Sequence, residues 1–263
     1  MHINLLTSKT LGLYSDDVVL LKYLESEGCK VTVQNWEEIP HHRYTFSKTI
    51  IRSCWNYTEN IESFIIQLEW VYNLHNKLKT IQWNLDKSYL KEFEWAVPTS
   101  FNQKNPFDSE FIIIKPQISN GGHHVLKIAS KDFIGGISAP EGYMIQPFLD
   151  GVYQGETSLI YFGETFSHAI HKTPESGQFR VQHYFGGSYR LIKEPDKKLL
   201  QLGQDTIDIL KQRNLLDLYC RLDFIPLGDE YLLSEIEMIE PLLHFTEYPE
   251  ACSNLFKELK KCV

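Results

Sequence analysis

Residues 219–241 read YCRLDFIPLGDEYLLSEIEMIEP, and how this stretch folds decides how the rest must be arranged. Read as two strands, it places Arg221, Asp223, Glu235 and Glu237 on one surface, because successive side chains of a strand alternate faces. Leu222, Phe224, Leu232, Ile236 and Met238 have the opposite parity and form a core face. Three carboxylates gathered on one face repel: at about 4 Å and an effective dielectric near 20, each like pair costs roughly 4 kcal/mol. A fold keeps such a set when positive charge sits between its members, and hard oxygen donors in this number suit Mg²⁺ or Mn²⁺. A solvated acidic strand face is the plain alternative. The register supplies a condition. A regular ladder around a two-residue turn at Gly228-Asp229 would pair Asp223 with Ser234 and send Glu235 to the wrong face. A metal site therefore needs a three- or five-residue loop centred near Asp229, or a bulge that shifts the pairing.

Composition narrows the class of protein. The 263 residues are 43% hydrophobic and 23% charged, which suits a soluble globular chain with a sizeable core in one large or two to three small domains. The net charge is -8, and no run of Lys or Arg exceeds two residues, so nucleic acid is not an expected partner. No stretch reaches the length of apolar sequence that spans a bilayer, and the N-terminus lacks the pattern of a signal peptide. The five cysteines (Cys29, Cys54, Cys220, Cys252 and Cys262) include no C-x-x-C pair and read as reduced thiols of a cytoplasmic protein. Small-molecule partners are expected, with a homodimer left open.

Along the chain, His2–Leu6 is a short apolar run, 16–27 has helical spacing ending at Gly28, and 30–35 alternates like a strand. A polar stretch with His41-His42 leads to a β-rich run at 48–53, followed by a long helical pattern over 60–79. This order implies a small open α/β domain with parallel pairing, in which ligands gather at the carboxyl ends of strands. Arg52 and Trp55 lie at such an end. They read either as substrate recognition, with Arg52 gripping a carboxylate in bidentate fashion, or as a buried aromatic cluster with a structural arginine.

Farther on, Asn84 is read as the cap of a helix carrying Lys87, and FIIIKP (111–116) as a strand delivering Lys115. Gly121-Gly122 reads as a hairpin turn or as a mobile lid whose N–H groups reach a phosphate. YMIQPFL (143–149) is a strand, 156–162 and 165–170 form a hairpin across Gly163, and QFRVQHYF (178–185) is read as a strand carrying Arg180. Residues 196–213 form an amphipathic helix, and a last helix covers 249–261. Soft domain borders fall near 83–86 and 148–152.

Taken in order, Lys87, Lys115-Pro116, a glycine loop, a QPF hinge, Lys172, Arg180, Arg221-x-Asp223 and Glu235-x-Glu237 resemble the ATP-grasp superfamily over about residues 84–241. FRVQHYFGGS and RLDF…LLSEIEMIEP carry the likeness most, toward the branch of ribosomal-protein glutamate ligase, glutathione synthetase and the cycloserine-forming cyclo-ligase. The family's last metal ligand is often Asn where this chain has Glu237. The resemblance implies an α/β (α+β) ATP-grasp fold with an N-terminal open α/β domain (1–84), a central lid subdomain (85–149) and a C-terminal antiparallel-sheet subdomain (150–263). It implies that Lys87 and Lys115 contact the nucleotide, that the hinge backbone at Gln146, Pro147 and Phe148 bonds the adenine edge, and that Glu156 reaches the ribose. Asp223, Glu235 and Glu237 would hold two Mg²⁺, with Lys172, Arg180 and Arg221 as the catalytic cations. The implied activity is an ATP-dependent ligase joining a small carboxylate to an amine through an acylphosphate. The alternative is a phosphotransferase acting on a small hydroxyl substrate.

Overall fold

The computed structural model describes residues 1–39, 46–102, 104–133 and 139–261; His41, His42 and Cys262 lie outside the described residues. The chain builds a mixed α/β architecture from three sheets. The first is parallel and contains β1 (His2–Thr7), β2 (Lys30–Asn35), β3 (Lys48–Ile51) and β4 (Leu74–His75) in the order β2-β1-β3-β4. Its helices are α1 (Ser15–Ser26), α2 (Ile61–Glu69) and α3 (Leu78–Asn84). The second is antiparallel, with β5 (Phe111–Pro116) between β6 (Leu126–Ala129) and β7 (Tyr143–Pro147). The third has five antiparallel strands in the order β10-β9-β8-β11-β12. They are β8 (Glu156–Phe162), β9 (Thr165–Thr173), β10 (Ser188–Ile192), β11 (Tyr219–Leu227) and β12 (Glu230–Glu237).

The third sheet positions the site because its two faces differ. One face is apolar along its length: Leu159, Tyr161, Cys220, Leu222 and Phe224 pack on Leu199, Ile207 and Leu210 of α4 (Lys197–Gln212). Asp196 starts that helix by accepting the Lys198 N–H at 2.7 Å. The other face changes character partway along. Ile160, Phe162 and Tyr219 lie in a core shared with α1 and with α5 (Ala251–Lys261). Two residues further along the same parities, Ser158, Glu156, Arg221 and Asp223 are polar. Among the described residues, no helix is long and apolar enough to cross a membrane.

Three sequence expectations change. The helix expected over 60–79 stops at Glu69. Asn73 then takes φ 56, turning the chain so that Leu74 and His75 pair with β3 as a fourth parallel strand. Asn84 ends α3 instead of capping the next turn: its side chain donates to Ile236 O and accepts from Met238 N, both at 2.8 Å. Asp86 starts the 3₁₀ turn over Lys87–Glu92. Residues 178–182 are not a strand. The chain folds back there, with Gly186 at φ 83 and Gly187 so close that a Cβ would sit 1.9 Å from Val181 O. The added strand of that region is β10, paired with β9.

The decisive register is settled by a bulge. Leu227 pairs with Glu230 around a two-residue turn whose Gly228 has φ 61. The ladder then shifts between Asp223 and Phe224: Phe224 faces Leu233, while Asp223 faces Glu235 and Arg221 faces Glu237. Ser234 is the extra residue and stays on the cavity side, donating to Asp223 O at 3.0 Å.

Candidate active site

A cavity of about 1030 Å³ is lined by the inner face of the third sheet, by β5, β7 and the loop after β5, and by residues 55–59 of the parallel unit. Its floor is a network of alternating charges. Arg221 grips Asp223 with two parallel bonds, Nε to Oδ1 at 3.0 Å and Nη2 to Oδ2 at 2.9 Å, and also pairs with Glu237. Lys172 lies 3.0 Å from Asp223 and pairs with Glu156. Ser158 donates to Asp223 Oδ1 at 2.5 Å. Lys87 lies 3.1 Å from Glu235 and donates to Ser119 O at 2.6 Å.

These contacts set the protonation states. Burial pushes the Asp223 carboxyl up, but Arg221 and Lys172 outweigh it and hold it well below the usual carboxylate range. Glu237 moves the other way, up to about 8: its low-dielectric seat and the neighbouring Glu235 and Asp223 outweigh Arg221. Glu156 is also raised, chiefly by burial. Burial lowers Lys115, with Lys87 adding to the effect. For Lys172, burial acts to lower the pKa, but Asp223 and Glu156 overcome it and raise the ammonium.

As they stand, no three Asp, Glu, His or Cys side chains among the described residues are gathered to hold an ion. The carboxylates Asp223, Glu235 and Glu237 are each drawn onto a side-chain cation instead. Their chemistry nevertheless fits a hard divalent cation. They are oxygen donors on facing strands, and Glu237 is pushed toward protonation first by its burial and then by the neighbouring carboxylates Glu235 and Asp223.

The structure brings most of the sequence-predicted residues to this cavity. Lys87, Lys115, Gln146, Pro147, Phe148, Glu156, Lys172, Arg180, Arg221, Glu235 and Glu237 all line it, with Asp223 just beneath. Arg180 stacks 3.7 Å over the Phe185 ring, and its Nε is buried with no partner. Glu156, expected at a ribose, lines the cavity and pairs with Lys172 beside Asp223. At the hinge, the Phe148 N–H is taken by Phe111 O at 2.9 Å, and the Gln146 side chain is turned to Thr99. One expectation is corrected. Arg52 does not reach the cavity. It is fully buried, bonded to Asp17 at 2.7 Å and to Pro241 O at 2.9 Å, because an internal aspartate already fills the role expected of a ligand carboxylate. Trp55 does line the cavity and donates to Glu240 O at 3.2 Å.

Sequence reasoning missed Ser158, Asn120, Glu240 and His244. Glu240 could have been found by following the acidic spacing E-I-E-M-I-E one step beyond the strand. His244 carried no signal. It has φ 60, lies 3.3 Å from Glu247 and is pushed down to about 4 by burial, so the ring is neutral.

A family model described as the N-terminal domain of D-cycloserine synthetase DcsG matches residues 3–84. The chain is 23% identical over 260 residues to the cycloserine biosynthesis protein DcsG of Streptomyces lavendulae, covering 86% of this chain and 87% of that protein. The crystal structure of D-cycloserine synthetase DcsG superposes with a TM-score of 0.82 at 20% identity, covering all of both chains. The ATP-grasp ligase PsnB, solved with a minimal precursor, superposes at 0.64 with 13% identity and 99% coverage of each chain. The chain has the ATP-grasp fold. In ATP-grasp terms, the three-stranded sheet and the five-stranded sheet are the two walls of the cavity, and the parallel unit closes one end.

Proposed function

We propose that this protein is an ATP-dependent ligase that joins a carboxylate to an amine on a small amino-acid-like substrate, releasing ADP and phosphate. The observation that carries the reading is the ladder in which Asp223 faces Glu235 and Arg221 faces Glu237, set by a bulge on the floor of a cavity large enough for a nucleotide and a second molecule. The relatives, a cycloserine synthetase and an ATP-grasp ligase, support the same class. The proposed division is 1–84 for the substrate-side domain, 85–149 for the lid and 150–263 for the part that carries the acidic ladder.

ATP lies between the two sheets, with Lys87 and Lys115 against its phosphates. Asp223, Glu235 and Glu237 would hold Mg²⁺, two ions in this reading, with Mn²⁺ as a substitute. A divalent ion there supplies charge neutralisation at the β- and γ-phosphates. The substrate carboxylate attacks the γ-phosphorus and ADP leaves; an amine then attacks the acylphosphate carbonyl carbon, phosphate leaves, and the nitrogen loses a proton. Lys172 and Arg180 offset the charge of the moving phosphoryl group. Arg221, fixed by Asp223, stabilises the oxyanion of the tetrahedral intermediate. Four cysteines, Cys29, Cys54, Cys220 and Cys252, are free and buried, which fits work in a reducing cytoplasm.

The test is ADP release with ATP, Mg²⁺ and pools of amino acids. Release should require both a carboxylate and an amine, and Glu235→Gln should lower kcat/KM by about 100-fold or more, the loss seen when a group acting mainly in the transition state is removed. A stable phosphorylated product made without consuming an amine would sink the reading in favour of a phosphotransferase.

A further inference from the structure

The leftover charges of the cavity are sorted by sign. Glu235 is paired with Lys87, Glu156 with Lys172, Glu237 with Arg221, and Asp223 with both Arg221 and Lys172. Glu240 also lines the cavity, and among the described residues it forms no ion pair. It is only 6% exposed. Its one side-chain hydrogen bond among the described residues comes from the Asn120 amide at 3.4 Å, too long to count as strong. Cations without an ionic partner among the described residues are found elsewhere in the cavity: Lys115 at the end of β5, and Arg180 with its buried, unpartnered Nε. Those suit an anionic ligand such as a nucleotide phosphate. A buried carboxylate left in the same cavity suits a ligand group of the opposite sign.

Glu240 is also held rigidly. The Trp55 indole donates to its main-chain oxygen at 3.2 Å, and Arg52 donates to the next carbonyl, Pro241 O, at 2.9 Å. Asn120, from the loop after β5, bonds Trp55 O at 2.5 Å, so the parallel unit, the lid loop and the segment after β12 meet at this acid. An acid whose backbone is fixed in this way is preorganised for a ligand. Aromatic rings of Trp55 and Tyr57 line the cavity with it.

We propose that Glu240 is the subsite for the ammonium group of the substrate whose carboxylate is activated, with Trp55 as its aromatic wall, so that this substrate is an amino acid with a free amine. The inference rests on the ligase reading above for the fate of the carboxylate. It has a chemical consequence. An amine paired with Glu240 stays protonated, so it has no lone pair and does not attack the acylphosphate formed on its own molecule or a neighbouring one. The carboxylate donor is then kept distinct from the amine that attacks. A bound ammonium also gains from the face of an indole ring.

Binding tests this without requiring turnover. The intact protein, loaded with Mg²⁺ and a non-hydrolysable ATP analogue, is titrated calorimetrically with L- and D-amino acids, each compared with the α-hydroxy acid of the same side chain. The preferred amino acid should bind at least about 10-fold more tightly than its hydroxy analogue, the difference made by a charged hydrogen bond. Glu240→Gln should lower amino-acid affinity by about 10- to 100-fold and abolish that preference, while Glu240→Asp keeps part of it. Both variants should bind the nucleotide analogue within about twofold of the parent, which also shows that they fold. The proposal falls if the parent binds amino and hydroxy acids equally or binds neither. It also falls if Glu240→Gln changes nothing, or if that variant loses the nucleotide and so behaves as a metal-site residue. ADP release followed in parallel separates the two ideas: a parent that binds amino acids through Glu240 yet makes a phosphorylated hydroxyl product refutes the ligase and leaves the ammonium subsite standing.

Discussion

At position 52 an arginine leaves the end of β3, the place in a parallel sheet where ligands gather, and yet it never meets the cavity. Its Nε lies 2.7 Å from Asp17, whose other oxygen accepts from Ser53 at 2.6 Å, and its Nη2 holds Pro241 O. The neighbouring Asp16 accepts the N–H groups of Leu243 and Thr246. Burial raises the Asp16 carboxyl, and Asp17 beside it raises it further. These side chains of the parallel unit therefore fix the backbone of 241–246, the segment that follows Glu240 and carries His244. Replacing Arg52 leaves the buried Asp17 side chain with Ser53 but without its cation. Arg52→Met is expected to cost about 3–5 kcal/mol in urea unfolding, the range found when one member of a buried pair is removed. Nucleotide affinity of the folded fraction should stay near that of the parent, because Lys87, Lys115 and the acidic ladder keep their positions. A large loss of nucleotide binding without a loss of stability would return Arg52 to the site.

At the scale of elements, alternation made the site legible and chain reversals hid parts of it. The parity of Arg221, Asp223, Glu235 and Glu237 could be read directly, as could the condition that a regular two-residue turn gives the wrong pairing, so that a longer loop or a bulge is needed; that the chain uses a two-residue turn with a bulge could not. Which residue forms the bulge could not be read, since Ser234 is accommodated by contacts with Asp223 and Glu156 that are distant in sequence or set by the bulge itself. The strand expected at 178–185 failed for a similar reason: Phe179 and Val181 alternate like a strand, but the two glycines at 186 and 187 fold the chain back before a ladder forms. Glycines also give a paired test. Gly228 and Gly122 both have positive φ, 61 and 72, so an alanine at either position costs about 1 kcal/mol of backbone strain. At Gly228 an added Cβ meets nothing, whereas at Gly122 it would lie 2.7 Å from Gln182 Oε1, where the loop after β5 rests on the 182–187 turn. Gly228→Ala should lower thermal stability and leave nucleotide affinity unchanged. Gly122→Ala should push aside the end of the Gln182 side chain on which the loop rests and weaken nucleotide binding by about 10-fold as well, the effect of losing one or two hydrogen bonds between the loop and the nucleotide. Equal affinities for the two variants would show that the contact of the loop with Gln182 does not hold the nucleotide.

Over the whole molecule, polar groups are confined to one region of the third sheet, and the rest of that sheet is packed between α4 on one face and α1 with α5 on the other. The folded chain therefore carries ionisable groups whose state depends on burial. His168 and His244 are both driven down to about 4 from the ordinary 6.5, chiefly by burial. His168 contacts Leu243 O at 3.0 Å, and His244 faces Glu247, so both rings fasten the 241–247 segment in neutral form. Between pH 6.5 and about 4 the unfolded chain binds a proton at each ring and the folded chain does not, so stability rises with pH across that window. The contribution is fully present above pH 6.5 and is lost as the pH falls toward 4; a depression of this size corresponds to roughly 3 kcal/mol per ring. Asp223, held below the usual carboxylate range, adds a loss of the same sign at still lower pH. Glu237, raised to about 8, and the raised Glu156 and Asp16 carboxyls carry the opposite sign, because there the folded chain keeps a proton that the unfolded chain has lost. The histidine contribution is therefore read as a difference: in urea unfolding at about pH 7.5, 5.5 and 4.5, the stability of the parent relative to His168→Gln should fall at each step below pH 6.5, by roughly 3 kcal/mol in all. A difference between parent and variant that stays constant from about pH 7.5 to 4.5 would mean that His168 is not buried as a neutral imidazole.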